Sequence, residues 1–201
     1  MTTQRRTASA DFDAVRREVA ELRTRPEIAV RATPGPTRLA PFALALNAEV
    51  TVGDEEIADG KLVVLHDPAG QESWNGTWRV VLFASAELDA GMRDDPVITE
   101  MGWTWLQEAL GERDLAVGAF AGTVTRTVSQ SFGTLSDRPA SAELEIRASY
   151  TPAVDAPHPL LPRPTVGAII REHVSAWLEL LALITALEPV ADGVTRLERR
   201  R

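Results

Sequence analysis

The residue pair in this chain best placed for proton chemistry is His66-Asp67. A histidine beside a carboxylate can act as a general base or as one arm of a metal site. The plainer reading is that Asp67 closes an Asp-Pro turn through its side chain while His66 packs in a strand. No nucleophile accompanies the pair, so catalysis by His66 and Asp67 is a weak alternative. Three arginines, Arg79, Arg126 and Arg147, fall in the middle of expected strands. If their strands are neighbours and their parity agrees, they form an anion pocket for a carboxylate or phosphate. Otherwise they pair across strands with Glu87, Glu143 or Glu145 as exposed ladders. Trp103 and Trp105 stand two apart on an expected helix, about 200° around its axis. One of them can face outward as a partner surface, or both can pack on either side of a kinked helix.

Metal and cofactor chemistry find little support. The chain has no cysteine and only three histidines, His66, His158 and His173. They are scattered, and no short-spaced ligand pair occurs. His173 falls on an apolar helical stripe with no second histidine or carboxylate at helical spacing, and His158 lies in a proline-rich stretch. Walker, G-x-G-x-x-G, H-E-x-x-H and G-x-S-x-G signatures are all missing. The Thr- and Ser-rich run from Gly122 to Gly133 reads as ordinary strand chemistry. No metal and no cofactor are expected.

Charge narrows the partners. The 201 residues carry a formal net charge of -8, with acid gathered between Glu49 and Asp114 and arginines gathered before Arg38 and at Arg199–Arg201. An acidic body disfavours broad nucleic-acid binding, although the basic ends could touch RNA locally. No apolar run reaches the ~18 residues of a membrane span. No signal-peptide pattern follows the first arginines. A cytoplasmic location is therefore the expectation.

These groups need elements to hold them. Phe12, Val15, Val19 and Leu22 recur at helical spacing and predict a helix over 10–23. Alternation predicts strands over 41–52, 77–88 and 140–150, with a further strand over 60–66 and a Thr/Val-rich strand over 116–132. Asp67–Gly70 and Asn75-Gly76 read as turns. Asp95-Pro96 opens a second helix reaching Leu110. A proline-rich connector over 151–164 precedes a third helix over 165–187. The order α-β-β-β-α-β-β-α, with a possible short strand near Ile28, gives an α+β fold. It is an antiparallel sheet of about five strands with three helices, in one domain over 10–188. A basic N-terminus over 1–9 and a tail over 189–201 are expected to be flexible. Type III secretion chaperones share that order, an analogy of topology that says nothing of function.

Several phrases occur together along the chain. They are Arg38–Pro41, Gly60–Gly70, Trp74–Val80, Gly102–Leu106, Gly122–Thr125, Ser131–Gly133 and Arg147–Pro152. In this order they resemble an actinobacterial domain of unknown function, the family numbered 3000, with Tyr150 where the family has tryptophan. The resemblance spans most of the chain and implies a bacterial cytoplasmic protein without an assigned activity. The leading expectation is a non-enzymatic adaptor that binds a protein or a small anion. An accessory factor in RNA processing is the first alternative, and an enzyme using His66 and Asp67 the second. The oligomeric state is open.

Overall fold

The computed structural model describes residues 2–154 and 165–187, with side chains from Arg6 onward. Helix α1 (Thr2–Ala20) leads into strands β1 (Ile28–Pro34), β2 (Phe42–Val52), β3 (Glu55–Gln71) and β4 (Gly76–Leu88). Helices α2 (Ala90–Arg93) and α3 (Ile98–Gly111) follow, then β5 (Val117–Ser129), β6 (Ser141–Pro152) and α4 (Val166–Ile184). The strands form one six-stranded sheet in the order β1-β2-β3-β4-β6-β5. Every neighbouring pair is antiparallel. The fold is α+β, with four helices on a single antiparallel sheet.

Three details differ from the sequence expectation. Residues near Ile28 form a full strand, β1, paired with β2 along its length. The one-turn helix α2 was not expected; the Asp89 carboxylate caps it by accepting from the N–H groups of Gly91 and Met92. The Asp67–Gly70 turn lies inside β3, where it interrupts pairing with β4 between His66 and Gln71. Helix boundaries also shift. Helix α1 begins at Thr2, ahead of the expected start. The Asp95 carboxylate accepts from Val97 N–H in a turn, so α3 starts only at Ile98. His158 and the tail from 189 lie outside the described residues.

Alternation along the strands sends one set of side chains under the helices. Leu62, Val64, Val80, Leu82, Leu144, Ile146 and Tyr150 are fully buried there. Phe12 and Val15 of α1, and Ile170, Val174, Trp177, Leu180 and Leu181 of α4, meet them in one core. Each such side chain contributes about 1.5–3 kcal/mol by leaving water. The helices all occupy this face, so the odd-numbered residues of β3, β4 and β6 point to the other one.

Candidate binding face of the sheet

The face away from the described helices is built in cross-strand rows, because the register fixes which residues stand abreast. One row runs Asn47, Lys61, Phe83, Arg147, Thr123. The next runs Ala45, Val63, Val81, Ser149, Ala121. On the opposite side lies a row of Glu49, Asp59, Ser85, Glu145, Thr125. Thus Phe83 has a cation on each flanking strand, one strand spacing of about 4.8 Å away. Val81 stays 38 % exposed, and Val63 and Phe83 are half-buried. Together these residues line a shallow hollow of about 530 Å³.

The two cations differ. The Arg147 guanidinium forks onto the Glu145 carboxylate at 2.6 and 3.0 Å and also lies 5.2 Å over the Phe83 ring. That hydrogen bond holds Glu145 below, and Arg147 above, their ordinary pKa ranges. Lys61, the one lysine of the chain, has no carboxylate within ion-pair distance among the described residues.

One end of this face is closed. Leu65, Trp74 and Ala40 form a small separate cluster, with Gln71 Nε2 donating to the Leu39 carbonyl at 3.0 Å. The other end is acidic. Asp59 is pushed above the usual carboxylate range, first by burial and then by Glu56, Glu143, Glu145 and Glu49. Ser85 Oγ donates to Glu143 across the same region.

The sequence candidates separate over the fold. Arg79 and Arg147 lie on the open face, whereas Arg126 stands opposite Leu144 on the helix face, so the three arginines do not converge. Arg79 donates to Ser149 Oγ at 2.6 Å, Thr151 Oγ1 at 3.3 Å and the Ala119 carbonyl at 3.0 Å. It pins the β5 bulge between Gly118 and Ala121 onto the sheet. Arg126 donates to the carbonyls of Arg93 and Asp95 at 3.3 and 2.7 Å.

His66 is 6 % exposed and points under the helices, stacked on Trp78 at 4.0 Å and on Phe42 at 5.8 Å. Its Nδ1 lies 3.0 Å from the Thr77 carbonyl, which can only accept, so Nδ1 carries the proton. Burial lowers its pKa, partly offset by that hydrogen bond and by Asp11 and Asp67. Asp67 instead accepts from Ala69 N–H at 3.0 Å and from Gln71 Nε2 at 3.2 Å. Trp103 and Trp105 are both half-buried against the core, Trp103 stacked on Phe120 at 4.7 Å. His173 is buried beside Tyr150, ring centroids 5.3 Å apart.

Among the described residues, no three His, Asp or Glu side chains gather closely enough to hold a metal ion. No described helix is long and apolar enough to cross a membrane. Lys61 and Phe83, central to the open face, were not among the sequence candidates. Their alternation with Leu62 and Leu82 was the signal that could have found them.

A family model described as a protein of unknown function, DUF3000, matches residues 8–195. The chain belongs to the DUF3000 family. Neither the curated proteins nor the solved structures yielded a match. The rows of the open face, from Lys61 to Ser149, all lie inside the matched DUF3000 region.

Proposed function

We propose that this chain is a cytoplasmic, non-catalytic binding module whose open sheet face takes an extended segment of a protein partner, one bearing apolar side chains and a carboxylate. The observation that carries this reading is the row Lys61–Phe83–Arg147, beside Val63 and Val81, on the face that none of the described helices covers. Apolar side chains left partly in water on a stiff sheet favour apolar groups of a partner. Lys61 has no carboxylate within ion-pair distance among the described residues, and a carboxylate on the incoming segment supplies one, favouring register more than raw affinity. Arg147, already neutralised by Glu145 and lying over Phe83, forms a wall of the hollow.

Selection from a random peptide display library against the full chain tests this reading. Selected peptides should combine apolar residues with Asp or Glu. Their affinity should fall at least tenfold for Val81→Asp and lose its salt dependence for Lys61→Ala. Peptides that bind Val81→Asp as well as the wild type would remove the open face as the docking surface.

A further inference from the structure

Strand β5 is one edge of the sheet, and it is unusually bare. Most of its thirteen residues are exposed on both faces, and Val128 is 47 % exposed. Its neighbour β6 alternates between buried residues and ones that are exposed or half-buried. Edge strands usually carry lysine or proline, which blocks pairing with another chain. The β1 edge follows that pattern, with Arg31 and Pro34. From Val117 to Ser129 there is neither lysine nor proline, and Arg126 is the one charged residue.

Beside this edge, on the helix side, Thr99, Glu100, Trp103, Thr104, Gly122 and Val124 line a hollow of about 450 Å³. Glu100 has no ion-pair partner among the described residues, and neither does Arg126. Arg126 uses only Nη1 on its two carbonyls, leaving Nε and Nη2 to donate elsewhere.

We propose that β5 pairs antiparallel with β5 of a second copy of this chain, about a two-fold axis through Val124, so that Arg126 of each copy enters the Glu100–Trp103 hollow of the other. The argument is geometric. A two-fold axis perpendicular to the sheet keeps helix face with helix face, and opposed residues must share a face, so the axis passes through a residue. Centred on Val124, the pairing sets Arg126 against Gly122. Gly122 has no side chain to obstruct the arginine. Glu100 then supplies the missing carboxylate, and the Trp103 ring offers a face for the guanidinium. The sole charge of β5 thereby meets an acidic partner twice, and backbone donors and acceptors along both edges are satisfied.

The lack of cysteine permits a clean test on the full chain. In this register Thr123 of one copy faces Thr125 of the other, on the open face. Thr123→Cys and Thr125→Cys proteins, one carrying a size tag, are oxidised separately and mixed. A disulfide-linked heterodimer in the mixture, with each variant alone remaining uncrosslinked, is the expected result. Crosslinking of Thr123→Cys or Thr125→Cys alone would place the axis on another residue and overturn the Arg126–Glu100 contact. Failure of every combination to crosslink, together with a monomer in sedimentation equilibrium up to about 1 mM, would overturn the pairing itself. Arg126→Glu should weaken the dimer at least tenfold, and adding Glu100→Arg should restore it. Both Cys sites are exposed, so folding is retained in these variants.

Discussion

The Trp177 indole lies directly over Gly60, where a Cβ would stand 2.9 Å from its Cζ2 and 3.1 Å from its Nε1. From that position Nε1 donates to the Phe83 carbonyl at 3.1 Å. Helix α4 is therefore bonded to the backbone of the residue whose ring faces the open hollow. The absence of a side chain at Gly60 brings helix and sheet close enough for this bond.

Gly60→Ala should accordingly lift α4 away from β3. Overpacking a tight core typically costs about 1–3 kcal/mol, and stretching the Trp177 bond adds about 1 kcal/mol. Urea denaturation should show a lower midpoint with an unchanged slope. An unaltered midpoint would mean that Trp177 has room to turn.

The edge strand has its own version of this constraint. A Cβ at Gly122 would stand 2.7 Å from the Trp103 ring and overlap the Arg147 carbonyl oxygen. The carbonyl belongs to the sheet and cannot rotate aside. Gly122→Ala should therefore cost about 2–3 kcal/mol and loosen β5, raising amide hydrogen exchange there more than in β3. Uniform exchange across the sheet would contradict the account.

How far the sequence foretold this arrangement depended on alternation. In β2, β4 and β6 one face is uniformly apolar and the other mixed, so Arg79 and Arg147 could be assigned to the mixed side. Strand β5 offers a weaker contrast, since Thr123, Thr125 and Thr127 share one face while Gly122 and Arg126 interrupt Val124 and Val128 on the other. The side taken by Arg126 then depends on its register against Leu144, a long-range choice. Helix α2 has four residues, too few to show a helical period. Lys61 was legible as an outward residue of β3. Its significance came only when Phe83 and Arg147 fell into the same row, which needs strand order as well as parity.

His66 should make the fold sensitive to acid. Burial among Phe42, Trp78 and α1 lowers its folded pKa below the ordinary 6.5. The unfolded chain therefore binds this proton more readily. The stabilisation is whole above pH 6.5 and is lost as pH falls through the folded value. His66→Phe should flatten stability between neutral pH and pH 5, measured by denaturant midpoints. NMR titration of the His66 ring should give an inflection below that of an unstructured histidine. An inflection at or above 6.5 would reverse the sign.

Asp59 should behave in the opposite sense. Its carboxyl is pushed up, first by burial and then by the carboxylates of Glu56, Glu143, Glu145 and Glu49. The folded chain therefore holds this proton more tightly than the unfolded one. Its contribution is fully present below the unfolded value of 3.8 and is lost as pH rises through the folded one. At neutral pH the charged Asp59 thus opposes folding, and Asp59→Asn should stabilise by about 0.5 kcal/mol, the scale of a like-charge cross-strand contact. Added salt should shrink the difference between the two proteins, because screening weakens the same repulsion. The gain should also vanish well below pH 3.8, where the wild-type carboxyl is protonated in both states. A stabilisation that persists at that pH would locate the effect in the amide's own hydrogen bonds instead of the removed charge.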